Sequence, residues 1–199
     1  VLLDIGCGNG VTLAHVREVH GLRAVGIDRS TTLLDEARRR HADLSLIFGT
    51  AGSLPFLPES FDGVILECTL SLVEDCLTTL RECHRVLRPG GYIIVSDIYL
   101  RKERAASGLK SLAKECCLRG ARSKDKLFES LDASGFTVDL WEDHSAALKE
   151  YAVRLVWSYG SIPSFLGVND EDGTEQEQVR AAIKDSRPGY YLLVAGKEE

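Results

Sequence analysis

The sequence predicts an α/β fold built on a doubly wound sheet. Two observations carry this reading. Along residues 1–100, short apolar runs of strand length alternate with segments of helical spacing, and glycines, prolines or acids close almost every run. Such alternation requires parallel strands joined by helical crossovers on both faces of the sheet.

Each element follows from its local pattern. "VLLDI" is a short apolar run ended by glycines, "VTLAHVREVH" has helical spacing, and "LRAVGID" is a second strand closed by an acid, which completes one βαβ unit. "STTLLDEARRRH" is a helix with Ser30 as its N-cap, "LSLIF" a strand, "GTAGSLPFLPES" a loop and "FDGVILE" the fourth strand. The helix "VEDCLTTLRECHRVL" is stopped by "RPGG", and "YIIVSDIYL" follows as a buried strand. From residue 101 the rhythm changes. "RKERAASGLKSLAKECCLRGA" and "SKDKLFESLDASGF" read as helices, "FTVDLWEDH" as a strand, "SAALKEYAVRLVWSYG" as a helix and "GYYLLVAGK" as the final strand. The acidic stretch "NDEDGTEQEQ" reads as a solvated loop or a frayed helix start. No internal repeat divides the chain, so residues 1–199 are expected to form a single domain.

Composition narrows the function. The chain has 24 basic and 30 acidic residues, a net charge of −6, which disfavours a nucleic-acid partner. No apolar run reaches the roughly 20 residues of a membrane helix. Six cysteines lie scattered without a CxxC, which is the usage of free thiols in a reducing, cytoplasmic setting. The absence of methionine and the opening on an apolar strand predict that the natural beginning of the chain is missing.

The chemistry starts at "VLLDIGCGNG". A glycine-rich turn after a parallel strand lets backbone approach a ligand while the next helix presents free N–H groups. Gly6, Gly8 and Gly10 meet that need, and Asp28, 20 residues beyond Gly8 at the end of the second strand, is placed to accept hydrogen bonds from both ribose hydroxyls. A nucleoside-containing cofactor is expected. The dinucleotide pattern GxGxxG would require glycine at position 11, where the chain has Val11. Asp4, inside the strand before the glycines, suits a cofactor with an ammonium group and no pyrophosphate, so S-adenosylmethionine fits better than a nicotinamide dinucleotide.

In order, "VLLDIGCGNG", "AVGIDRS", "GTAGSLPF", "FDGVILECTLSLVED" and "LRECHRVLRPGGYIIVSD" resemble the class I S-adenosylmethionine-dependent methyltransferases. The resemblance implies a Rossmann-like, doubly wound, seven-stranded sheet, mostly parallel with its last strand antiparallel, in which "FTVDLWEDH" and "GYYLLVAGK" pair at the edge. It also implies that Gly6, Cys7 and Gly8 run along the methionine part of the cofactor, with Gly10 in the same cofactor-binding turn, that Asp28 holds the ribose and that Arg29 lies beside the adenine. Thr50 and Ala51 stand where the family often carries Asp-Ala to read the adenine amino group, so Thr50 is a departure that puts that one hydrogen bond in question.

Methyl transfer from a sulfonium is an in-line displacement that depends mainly on positioning, so few catalytic side chains are obligatory. Candidates near the acceptor are Glu67 and Cys68 after the fourth strand, and Asp97 and Tyr99 after the fifth. Glu67 is expected to face the cofactor or a helix terminus rather than act as a base. "LECTLSLVED" and "KECCLRGARSKDKLFESLDASGF" are similar to segments of arsenite methyltransferases, which implies Cys68 with Cys116 or Cys117 as thiolate ligands of a soft metalloid. No cysteine follows Cys117, so a three-thiolate site would need both adjacent cysteines. The alternative is that all three are small buried apolar residues. No zinc ligand set is evident, Cys76 and Cys83 read as core positions on one helix face, and His84 and His144 read as structural. Trp141, Tyr151, Trp157 and Tyr159 are expected to pack largely against the sheet. Two readings remain: an enzyme that methylates a small molecule, and a non-catalytic cofactor-binding partner protein.

Overall fold

The computed structural model describes residues 1–102, 109, 112, 116–170 and 172–198. The first half is the expected βα alternation: β1 (Leu2–Ile5), α1 (Val11–His20), β2 (Ala24–Asp28), α2 (Thr31–Arg40), β3 (Ser45–Phe48), β4 (Phe61–Glu67), α3 (Cys76–Val86) and β5 (Leu87–Leu100). Then follow α4 (Cys117–Gly120), α5 (Lys124–Asp132), β6 (Phe136–Asp143), α6 (Ser145–Tyr159), α7 (Ile162–Phe165), α8 (Thr174–Ser186) and β7 (Pro188–Lys197).

All seven strands join one sheet in the order β3-β2-β1-β4-β5-β7-β6. The pairings from β3 through β5 are parallel, whereas β7 runs antiparallel to both β5 and β6. The expected pair does close one edge of the sheet, with β6 outermost and β7 inside it. The chain leaves β1 for β2 and β3 on one side and returns from β3 to β4 on the other, so the strand order reverses between β1 and β4, at the carboxyl ends where such sheets take ligands.

Local chemistry sets the boundaries. Ser30 Oγ accepts the Leu33 N–H at the start of α2, and Asp75 accepts the Leu77 N–H at the start of α3. The α3 helix ends at Val86, and the strand pairing of β5 begins at once, so "RPGG" lies within β5 rather than in a separating loop. The main core lies between α3, α5 and the sheet, where Leu3, Val64, Leu80, Cys83, Val86, Leu87 and Ile93 have no exposed surface. Each such aliphatic side chain contributes about 1.5–3 kcal/mol by burial. Cys76 and Cys83 are core residues, as their spacing predicts. The His84 ring meets Phe136 edge-on at 5.3 Å, and burial beside the Lys197 charge holds its pKa below the usual histidine range. Its carbonyl oxygen accepts a hydrogen bond from Lys197 Nζ at 3.0 Å, so its described contacts are structural.

Three expectations need correction or completion. The polar stretch before the last strand includes the start of a full helix: Asp170 accepts the Glu175 and Gln176 N–H groups, and Glu175 and Glu177 sit at the positive end of α8. Only Trp141 of the four aromatics packs on the sheet as expected, stacked on Tyr191 at 4.5 Å. Tyr151, Trp157 and Tyr159 are exposed, Trp157 by 86%, because α6 buries only Ser145 at its first turn and carries the rest of its length away from the sheet. Most of the helix expected over residues 101–121 lies outside the described residues, and its described end is α4.

Candidate functional site

The carboxyl ends of β1, β2 and β4 frame a cavity of about 650 Å³. Gly6 and Gly8 form its floor. Gly6 has φ +75°, and a Cβ there would stand 2.3 Å from Thr69 Oγ1. Gly8 has φ +52° with no atom within 4 Å of a notional Cβ, so its bare backbone faces open space. This is a cradle that a side chain would fill.

Asp28 joins the floor to the second loop. Its Oδ2 accepts the Gly8 N–H at 2.9 Å and its Oδ1 accepts the Ser30 N–H at 2.8 Å. Each oxygen keeps a lone pair for a further donor, and Asp28 lines the cavity although its side chain is nearly buried. Arg29, Ser30, Leu33, Thr50 and Ala51 continue the wall. Glu67, at the end of β4, accepts a hydrogen bond from Thr12 Oγ1 across the glycine turn.

The acids concentrate negative potential here. Asp4 is buried, and its pKa is raised to about 7 by desolvation, with the Glu67 and Asp28 charges adding to it. Asp4 does not line the cavity; it lies in β1 between Gly26 of β2 and Ile65 of β4, behind the turn. The Cys7 side chain also turns inward, packing with Leu13 and Leu34, and burial raises its thiol to about 12. Gly10 caps α1 rather than lining the cavity.

Of the predicted site residues, Gly6, Gly8, Asp28, Arg29, Thr50, Ala51, Glu67 and Cys68 therefore come together around one cavity. Asp97 is 1% exposed and accepts hydrogen bonds from Ser71 N, Ser71 Oγ and Ile98 N, so it braces the loop after β4. Burial raises its pKa. Cys117 sits behind Cys68, whereas Cys116 is the N-cap of α4 and joins no ligand cluster among the described residues. His144 occupies the N-cap position of α6 and pairs with Glu142, as a structural contact.

Sequence reasoning missed Thr69, Leu72 and Val73, which also line the cavity. It also missed Tyr190, whose hydroxyl donates to Ser96 Oγ at 3.1 Å and lies 3.8 Å from Cys68 Sγ. Once β7 is known to pair with β5, the register of Tyr190 opposite Ile98 places it there, but no local pattern announces that pairing.

Residues 3–95 match the family described as methyltransferase domain. They belong to it. Among the chain's relatives, the O-methyltransferase resE of Aspergillus sclerotiorum is 33% identical over 105 residues, 50% of this chain and 40% of the relative. Demethylmenaquinone methyltransferase of Beutenbergia cavernae is 36% identical over 96 residues, 48% of this chain and 40% of the relative. The match thus spans well under half of each relative's length. In solved structures, Haemonchus contortus phosphoethanolamine N-methyltransferase 2, bound to phosphomonomethylethanolamine and S-adenosylhomocysteine, has a TM-score of 0.75 at 20% identity over 100% of this chain and 48% of its own. The cyclase SpnF has a TM-score of 0.73 at 24% identity over 99% of this chain and 75% of its own. These likenesses show that the chain shares the fold of those structures over its whole seven-stranded sheet.

Proposed function

We propose that the protein is an S-adenosylmethionine-dependent methyltransferase acting on a small organic acceptor. The observation that carries this is the Gly8–Asp28 hydrogen bond at the floor of the 650 Å³ cavity, which sets a bare backbone and a buried carboxylate side by side. The residues fit the cofactor. Asp28 would accept from the ribose hydroxyls, Arg29, Thr50 and Ala51 would border the adenine, and Gly6 and Gly8 would follow the methionine part. Glu67, with Asp4 behind the turn, would hold the ammonium group and favour the positive sulfonium.

Bound there, the cofactor supplies an electrophilic methyl group. The chain's part is to hold that methyl in line with the acceptor and to exclude water, and effective molarity accounts for much of such a rate enhancement. Leu72, Val73 and Thr69 supply an apolar wall beside the acidic floor, as a small organic acceptor requires. The relatives named above carry the names of O-methylation and of a quinone substrate, and the structural neighbour above that of an amino-alcohol phosphate. We favour an organic acceptor over arsenite. The metalloid reading rests on the Cys68 and Cys117 pair alone, and those comparisons do not support it. The chain's thiols fit a cytoplasmic setting, and no helix among the described residues is long and apolar enough to cross a membrane.

Calorimetric titration with S-adenosylmethionine and S-adenosylhomocysteine tests the reading. Saturable binding of both, followed by methyl transfer to a panel of phenols, quinols and amines, is expected. That a neighbour of this fold is a cyclase by name makes a second outcome specific: cofactor binding with no transfer to any acceptor would favour a non-methylating role for the fold. Absence of binding to either compound would overturn the proposal.

A further inference from the structure

We propose that Cys68 and Cys117 form a redox-modification site, in which peroxide converts the pair to a disulfide that fastens the cavity wall to the chain following residue 116. The two sulfur atoms and a carboxylate oxygen of Asp97 lie within 4.8 Å of one another. Cys68 lines the cavity, so a small oxidant reaches it through the same mouth as a substrate. Its backbone, just past the end of β4, has φ +50°, a conformation that non-glycine residues rarely adopt.

The surroundings already hold the partners together. Cys117 donates its S–H to the Cys68 carbonyl oxygen at 3.6 Å. Arg122 donates from one guanidinium nitrogen to both Leu70 O and Gly120 O, each at 3.2 Å. Gly120 packs so closely on the loop after β4 that a Cβ there would stand 1.9 Å from Ser71 O. The two thiols are thus held as neighbours, although 48 residues lie between them in sequence.

The chemistry divides the roles. Pairing with the neighbouring Cys117 thiol, and less strongly with the Tyr190 hydroxyl, holds Cys68 below the ordinary thiol range, and the same pairing with burial pushes Cys117 far above it. Cys68 is the nucleophile and Cys117 the resolving thiol. The Cys68 thiolate attacks one oxygen of hydrogen peroxide; an S–O bond forms, the O–O bond breaks and hydroxide leaves. Cys117 then attacks that sulfur, forming the S–S bond as the S–O bond breaks, and its proton goes with the departing hydroxide as water. Two thiols are oxidised by two electrons and one peroxide is reduced. A metal ion is the less favoured occupant, because Asp97 already accepts three hydrogen bonds from Ser71 and Ile98. Cys7, Cys76 and Cys83 are buried and their thiols are raised by desolvation, so they should stay reduced.

The test reads thiols rather than methyl transfer, so it stands apart from the functional proposal. The reduced full chain is treated with hydrogen peroxide, alkylated, digested and mapped by mass spectrometry. Two of the six cysteines should escape alkylation, joined in one cross-linked peptide containing Cys68 and Cys117, and dithiothreitol should restore both. In Cys117→Ser, dimedone should trap Cys68 as its sulfenic acid. Full alkylation of Cys68 in the wild-type chain after other thiols have oxidised would overturn the proposal, as would a cross-link from Cys68 to Cys116 instead.

Discussion

The Gly8 N–H and Asp28 Oδ2, 20 residues apart, meet at 2.9 Å and lock the turn after β1 to the end of β2. One carboxylate therefore shapes the floor of the cavity and presents the remaining lone pairs to whatever enters. Asp28→Ala should weaken binding of S-adenosylhomocysteine by about 1–3 kcal/mol, the worth of one or two hydrogen bonds to a charged group. Because Ser30 N also loses its acceptor, the variant should unfold at lower urea as well. Titration and urea melts on the same preparation check both; an unchanged dissociation constant would remove Asp28 from the site.

The two floor glycines should separate stability from binding. Gly6→Ala meets Thr69 Oγ1 at 2.3 Å and an unfavourable φ, so it should cost about 1–3 kcal/mol of stability. Gly8→Ala meets no atom within 4 Å and should cost about 1 kcal/mol from its φ alone, yet place a methyl on the floor and weaken cofactor binding. Thermal melts read the first effect and calorimetry the second. Equal binding by wild type and Gly8→Ala would contradict the cradle.

Stability should depend on pH through Asp4. Its carboxyl ordinarily titrates at 3.8 and in the fold at about 7, so over that interval the folded protein keeps a proton the unfolded chain has released. The contribution of Asp4 to stability then falls as pH rises from about 4 to 7, and levels off above. Asp4→Asn should flatten this slope and stabilise the free protein at pH 8 on the order of 3 kcal/mol. Urea melts across pH 4 to 8 decide it, and an Asp4→Asn profile as steep as the wild type's would refute the assignment.

Asp97 should behave as a brace. Asp97→Ala strands the buried donors Ser71 N, Ser71 Oγ and Ile98 N, at a cost of about 2–4 kcal/mol. Asp97→Asn keeps an acceptor and should recover part of that loss. Methyl-transfer rates per folded molecule should change less than stability does; a rate collapse in a well-folded Asp97→Asn would mark a chemical role instead.

Much of this was legible in the sequence because strand and helix periods are local. The strands β1 to β5, the Ser30 cap and the pocket role of Gly6, Gly8 and Asp28 all follow from patterns within a few residues or from a fixed spacing. What escaped depends on long-range packing. Tyr190 reaches Cys68 only because β7 inserts beside β5, and nothing near "GYYLLVAGK" says which strand it will join. Asp97 looked like a site acid because strand ends usually face the crevice, but the loop after β4 folds over it and takes its hydrogen bonds. Tyr151 and Trp157 looked like core because aromatic residues usually are, whereas α6 meets the sheet only near its start.

The position of β7 also governs the order in which the molecule can assemble. During synthesis β6 emerges some 50 residues before the strand that must pair with it, and among the described strands it has no other neighbour. Until Pro188–Lys197 is delivered, β5 and β6 both present open edges, the kind of surface that invites pairing with a second chain. Closing the sheet is therefore a late, non-local event, and a nascent chain released or clipped within α8 would expose both edges and aggregate rather than fold.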